Sequence, residues 1–298
     1  MKIIKKSPGR IVFEIINTII LIGLAAVCLA PILHVIFASF SDPILLTQNT
    51  GLILWPLSDA THPLTLKGYQ IIFNNNSLLR GYANTIFYVG VGTFISLWFT
   101  ALGAYCVSRK KTMWLKYLMI LITITMFFNG GLIPMYLVVK KLGMINTRWS
   151  MLIPMAISVF NLIIVRTSFI SLPDSLEESA QLDGAGHITI LVKIVVPLCK
   201  ATLAVIALFY AVQKWNEYFF AMIFLTERPL YPLQVILREI LVESNQSSVE
   251  YDSSSSLDKY KTLVEYCTIV VATLPILFIY PFIQKYFVTG VMIGSIKG

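Results

Sequence analysis

The chain has 298 residues, 57% hydrophobic and only 13% charged, where a soluble domain carries roughly 25% charged residues. That composition excludes a soluble globular protein and points to an integral membrane protein. The net charge of +8 is not a nucleic-acid signature, because much of it lies beside apolar segments, where membrane topology accounts for it. Cys28, Cys106, Cys199 and Cys267 fall in or at the edge of apolar runs without metal-ligand spacing. They read as inert membrane thiols rather than disulfides or a zinc site.

The N-terminus carries Lys2, Lys5, Lys6 and Arg10, and an apolar run follows from Ile11 to Phe40. A secretory signal has an apolar region of roughly 7–15 residues, so this longer run is expected to be an uncleaved first span. His34 near its end is expected to be a hydrogen-bonded helix-end residue, with a role in a transport path as the alternative. Ser41 to Arg80 is polar and rich in turn formers, and reads as a large extramembrane loop. Span two is expected from about Tyr82 to Val107, followed by the basic turn Ser108-Arg109-Lys110-Lys111.

Span three is expected from about Lys116 to Val139 and contains Asn129-Gly130-Gly131 and Pro134. Those residues should bend or unwind it. Broken helices are tolerated in transporters where they line a cavity, which makes Asn129 and Gly130 candidates for a substrate path. A kink for helix packing alone is the competing reading. Span four is expected from about Trp149 to Phe169, with Arg166 snorkelling to the interface.

The longest polar interruption in the middle of the chain is Leu172 to Ala201. Asp174 followed by Glu177 predicts a helix N-cap with its capping-box partner. Gly184 sits where a left-handed cap would end that helix. Ile188, Leu191, Ile194 and Val195 are expected to share one face of a second short helix, closed by Pro197. Span five is expected from about Cys199 to Leu225 and holds Gln213, Lys214, Trp215, Asn216, Glu217 and Tyr218. Two ionisable residues within a span each cost roughly 2.5–3.5 kcal/mol to insert, so they should face a cavity or each other. Thr226 to Lys261 is a second polar loop whose Ser-rich centre, Glu243 to Asp258, reads as flexible. Span six runs from about Thr262 to Phe287, interrupted by Pro275 and Pro281. The short basic N-tail and the Arg109 turn put both termini and the 172–201 loop in the cytoplasm, since short flanks dominate the positive-inside rule.

The loop 172–201 resembles the coupling loop of permease subunits of binding-protein-dependent ABC importers. The motif of that family is matched by Glu178, Ser179, Ala180, Gly184, Ile194 and Pro197, with Ser179 standing where Ala is usual. The form EESAQLDGA followed by IVVPL is similar to carbohydrate importers. The resemblance implies an all-α, polytopic membrane protein with six transmembrane helices and the type I ABC importer permease fold. Residues 1–298 would form a single transmembrane permease domain with the coupling loop inside it. It further implies that Glu178 contacts an ATPase, Ala180 and Ala185 allow close approach, Gly184 makes the sharp turn, and Asp183 caps or pairs locally. The Gln213 to Tyr218 segment resembles the WNEY-type segment of carbohydrate permeases. Trp215 and Tyr218 would stack against sugar rings, while Gln213 and Asn216 would meet hydroxyls; a paired structural charge with ordinary span aromatics is the competing reading. Asn84-Thr85 would be either an interfacial cap or a contact between permeases.

No GxxxxGK[ST] phosphate loop occurs, so no cofactor is expected in this chain, ATP and Mg being bound by a partner ATPase. The implied partners are a second related permease, two ATPase subunits, an extracytoplasmic solute-binding protein, a carbohydrate substrate and membrane lipid, with no nucleic acid. The C-terminal YFVTGVMIGSIKG and the LTERPLYPLQVILREIL loop look like the branch that imports oligosaccharides or polysaccharide fragments. In that branch the tail can reach the ATPase and the loop can meet the binding protein. An importer for another solute is the related alternative. A membrane-embedded glycosyltransferase is the alternative from another class, but it would want paired acidic residues at a span end, and no convincing pair is present.

Overall fold

The computed structural model describes residues 8–59, 61, 63–109, 114–128, 130–246 and 260–295. Among these all regular structure is helical. In chain order the helices are α1 (Pro8–Ser39), α2 (Pro43–Gln48), α3 (Lys67–Phe73), α4 (Asn76–Ser108), α5 (Leu115–Phe127), α6 (Leu132–Lys141), α7 (Trp149–Leu152) and α8 (Val159–Ile170). They continue with α9 (Asp174–Leu182), α10 (His187–Ile190), a π-turn (Leu191–Val195), α11 (Val196–Leu198), α12 (Lys200–Trp215) and α13 (Phe219–Phe224). A 3-10 turn (Arg228–Leu230), α14 (Leu233–Gln246) and α15 (Lys261–Ser295) complete the order. Two compact units result: residues 1–75 with 239–274, and residues 76–238 with 275–298.

In the first unit α1 has 32 residues, a length of about 48 Å, well beyond the ~30 Å hydrocarbon core of a bilayer. Its apolar side chains from Ile11 to Leu33 are exposed, as expected for a helix facing lipid. The end of α1 is fixed by polar contacts. His34 Nδ1 accepts the Ile53 N–H at 2.9 Å, so the neutral ring carries its proton on Nε2, which lies 3.3 Å from the Tyr266 hydroxyl. His34 is therefore the hydrogen-bonded helix-end histidine anticipated from sequence. Ser39 meets the Tyr69 hydroxyl at 2.7 Å, and its carbonyl accepts from Cys267 Sγ at 3.2 Å. Gly68 lets α3 approach α15, because a Cβ there would lie 2.6 Å from Cys267 Sγ.

In the second unit α4 packs against α12 and α8. The core between them holds Ala101, Ala104, Tyr105, Val165, Phe169, Leu203, Ile206 and Tyr210. Among the described residues three helices are long and apolar enough by themselves to cross a membrane, and up to six spans result if each bent helix pair is one. The spans expected as three, four and five are all interrupted. α5 and α6 meet at 112°, around the Gly-Gly pair, with Gly131 at φ +87°. The fourth was expected to be continuous, yet it is divided into α7 and α8. Pro154 removes a backbone donor there, and Ser158 restarts the helix by accepting the Asn161 N–H at 3.5 Å. The fifth breaks between Trp215 and Phe219, separating α12 from α13.

The break before α8 is held by the buried Tyr210 hydroxyl, which accepts the Ser158 N–H at 3.0 Å and lies 2.7 Å from Thr100 Oγ1. One hydroxyl thus joins α4, α12 and the break. Tyr210→Phe is expected to leave the Ser158 N–H without its partner and to cost about 1–3 kcal/mol. A lowered Tm of the purified protein in detergent checks this; an unchanged Tm would show that the bridge does not support the break.

Candidate functional site

The loop between α8 and α12 is built on the end of α4. Pro173 occupies the cap position and Asp174 the first turn of α9. The capping box expected from Asp174 and Glu177 does not form, because the Glu177 carboxylate turns the other way. Its Oε1 accepts the Tyr105 O–H at 3.1 Å, and its Oε2 pairs with the Arg109 guanidinium. Both side chains are largely shielded, at 15% exposure for Glu177 and 23% for Arg109. Arg109 also lies over the Tyr105 ring, 4.2 Å from its centroid. Since Tyr105 gives its only proton to Glu177, His187 Nδ1, 3.2 Å away, is the donor to the tyrosine oxygen. Sequence reading missed this cluster, which joins residues about seventy positions apart.

The other end of α9 closes as expected. Gly184 adopts φ +81°. Its N–H bonds to the Gln181 carbonyl at 3.0 Å, and the Ala185 N–H bonds to the Ala180 carbonyl at 2.9 Å. This is the two-bond Schellman closure, with Asp183 as the C-cap. Ala180 is buried and Ala185 packs against the same core, so both must be small. Glu178, Ser179 and Asp183 are exposed. Leu182 is 90% exposed and stands one turn after Glu178, on the same face. It was missed, although a lone Leu between Gln and Asp was the available signal. Ile188, expected to share one face with Leu191, Ile194 and Val195, is exposed, whereas Ile190 is buried. The π-turn ahead of Pro197 inserts a residue into the helical phase and shifts the buried face. α12 then leaves at 89° to the preceding helix.

A second site forms where the spans break. Tyr88 on α4, Ser150 and Met151 on α7, Met155 in the following break, and Gln213, Lys214, Glu217 and Phe220 around the α12–α13 break line a cavity of about 20 Å³. Asn216 closes α12, its Nδ2 donating to the Val212 carbonyl at 2.9 Å. Glu217 starts α13, its Oε1 accepting the Phe220 N–H at 3.1 Å. Lys214 lies along Gly92 of α4, where a Cβ would come within 2.6 Å of its Cδ and Cε. Gly92 is sixteen residues from either end of α4, about 24 Å. Lys214 thus lies beside the midpoint of that helix.

Trp215 was expected to present an aromatic face, but it is only 7% exposed and belongs to the core. Tyr218, at 43%, is the exposed aromatic, with the Arg238 guanidinium 5.6 Å from its ring centroid. Gly130 is exposed and does not line the cavity; Asn129 lies outside the described residues.

Above the cavity the segment after α13 is clamped from two sides. Asn84 Nδ2 donates to the carbonyls of Pro229 and Tyr231 at 2.7 and 3.0 Å. Thr85 Oγ1 accepts the Leu233 N–H at 2.8 Å, and the Tyr88 hydroxyl donates to Leu230 at 2.9 Å. Asn84-Thr85 is therefore a clamp within this chain, which neither sequence alternative anticipated. Gly81 permits it, since a Cβ there would meet Ile236 Cδ1 at 2.5 Å. From the other side Asn146, at φ 58°, accepts the N–H groups of Thr226 and Glu227 through Oδ1, at 3.1 and 3.0 Å.

No protein-family model matches the chain. The chain is 38% identical over 292 residues to protein LplC of Bacillus subtilis (strain 168), covering 98% of this chain and 97% of that one. It is 39% identical over 280 residues to the polygalacturonan/rhamnogalacturonan transport system permease protein YtcP of the same organism, covering 93% and 96%. Among solved structures, a chain of a bacterial ABC transporter involved in the import of the acidic polysaccharide alginate matches with a TM-score of 0.85 and 32% identity. That match covers 95% of this chain and 99% of the other.

Asn84→Ala removes two hydrogen bonds from the clamp and is expected to expose the 226–233 segment to protease. Faster cleavage there in the purified protein, with Tm lowered by no more than a few degrees, is the expected result. Unchanged protection would show that the asparagine does not hold the segment.

Proposed function

We propose how this chain works from one premise: it belongs to the permease family of carbohydrate ABC importers. It is a transport subunit of a multi-pass membrane complex, and it moves carbohydrate by ATP-driven import. In our reading ATP and Mg are bound by two separate ATPase subunits, and a second related permease completes the path. An extracytoplasmic binding protein delivers an oligosaccharide or polysaccharide fragment. The chain acts as one permease domain, with 172–201 as its coupling loop.

The observation that carries this reading is the attachment of Glu177 to Tyr105 and Arg109 at the end of α4. A docking helix transmits motion only if it is fixed to a span, and this cluster fixes it. Glu178, Ser179 and Leu182 form the outward face that enters the ATPase, while Gly184 and Ala185 give the sharp return. The exposed leucine supplies apolar contact area, the usual core of an interface. From the cluster α4 runs past Gly92, under Lys214, to the Asn84 clamp, so a pull on the loop reaches both cavity and outer segment along one helix. Gln213, Lys214, Asn216, Glu217 and Tyr218 would border the substrate path. Trp215 would act behind them as packing, and the clamped 226–233 segment would meet the binding protein.

Two measurements test this. Glu177→Gln should keep the assembled complex but lower substrate-stimulated ATPase and uptake at least tenfold, whereas Glu178→Gln should weaken retention of the ATPase during purification. Wild-type uptake by the Glu177 variant would overturn the coupling assignment. A fluorescent reporter placed in the Arg109 turn or after Gly298 should mature on the cytoplasmic side; an extracytoplasmic signal from either would overturn the orientation.

A further inference from the structure

α5 is an apolar helix without a covered face. None of its 13 residues is buried, although it touches α8. Between the two helices lies a groove of about 930 Å³, within the roughly 300–1,000 Å³ range of pockets that hold ligands. Met119, Ile120, Phe127 and Phe128 supply much of its apolar wall, and the charged residues that line it are Lys116 and Arg166. Among the described residues no carboxylate lines it. The two cations lie at one end. Lys116 is in the first turn of α5. Arg166 is tied to the last turn of α4, the helix before α5, by its Nε, which donates to the Val107 carbonyl at 2.8 Å. That bond fixes the guanidinium plane and leaves its two terminal nitrogens for another acceptor.

We propose that this groove holds one anionic phospholipid of the surrounding bilayer, with its phosphate between Lys116 and Arg166 and its acyl chains along α5. The depth of the groove fits one leaflet. From Lys116 to Phe127 the helix rises about 17 Å, and the hydrocarbon of a single leaflet is about 15 Å deep, half of the ~30 Å core. The cations therefore stand at headgroup level on the side of the 172–201 loop, and the aromatic pair stands near the bilayer centre. A span of another subunit would cross the full ~30 Å, whereas this groove ends about halfway, where α6 turns off at 112°. The charge selects among lipids. A zwitterionic headgroup brings its own ammonium to a place that holds two cations and no acid. A headgroup with a phosphate and no amine does not. A fixed guanidinium is well suited to phosphate oxygens, and basic pockets between membrane helices recognise such headgroups. The lipid fills the space between α5 and α8, and α8 leads directly into the 172–201 loop.

The test uses the complete transporter in nanodiscs that hold equal phosphatidylglycerol and phosphatidylcholine with the same acyl chains. A small diazirine amino acid replaces Met119 on the groove wall, and the adducts formed on irradiation are identified by mass. Phosphatidylglycerol adducts should exceed phosphatidylcholine adducts at least tenfold. Lys116→Gln should lower that ratio about fivefold, the factor for one cation at a lipid surface, and Lys116→Arg should retain it. Lys116 is exposed, so neither change disturbs packing. Ile120→Trp fills the groove with both charges in place and should reduce adducts with the two lipids alike. Equal labelling by the two lipids, or a ratio unmoved by Lys116→Gln at matched complex, would overturn the proposal. An adduct with a second protein chain in place of lipid would also overturn it and make the groove a subunit interface. Irradiated complex without lipid adducts would do the same.

Discussion

A backbone amide inside a bilayer has no water to fall back on, so a span can break only where protein groups take over its hydrogen bonds. Much of this structure follows from that constraint. Three spans are interrupted, and at two of the breaks the replacement partners are identifiable side chains. At the α7–α8 break the Tyr210 hydroxyl takes the Ser158 N–H, and Thr100 completes the arrangement from α4. At the α12–α13 break Asn216 closes one helix and Glu217 opens the next. The breaks are therefore built features. They turn backbone that would otherwise be sealed into helices towards a small polar space, as broken helices of transporters do.

α4 is the element that makes these local arrangements act together. It is unbroken over 33 residues, and its polar contacts divide by position. Tyr105 sits in its last turn, with Arg109 just beyond, and together they hold α9 through Glu177. Thr100 supports the first break, Gly92 carries the Lys214 stem, and Asn84, Thr85 and Tyr88 hold the segment after α13. A continuous helix is stiff along its axis, whereas the broken spans beside it have hinges. Relative motion between the two kinds of element is the natural way to change a cavity without unfolding either.

What was legible in the sequence was what depends on local chemistry. Gly184 ended its helix because only a left-handed residue allows the two closing bonds. The Gly-Gly pair interrupted the third span because backbone there lacks side-chain support. The family motif pointed to the family from a short run of residues in the 172–201 loop. What failed depended on distant partners. Asp174 and Glu177 carry the spacing of a capping box, yet Glu177 gains a cation and a phenol by turning towards α4, and a charge-assisted contact outweighs a surface cap. Trp215 looked like a sugar platform because aromatics occur in such sites, but whether a ring faces a core or a cavity is set by helix rotation about its axis. Asn84 and Thr85 looked like an interfacial cap, since nothing local announces that the backbone to be held lies about 145 residues onward.

The contact of Gly92 with Lys214 shows two helices accommodating each other at a cost in packing. A larger residue at position 92 would fill the space the lysine stem occupies and would push the ammonium away from α4. A hydrophobic residue at 214 would pack there equally well and would avoid the penalty of a charge at this depth. Neither alternative is present, although both are physically simpler. The glycine gives up packing area on a span, and the charge of Glu217, three residues along the chain, offsets part of the cost of desolvating the lysine.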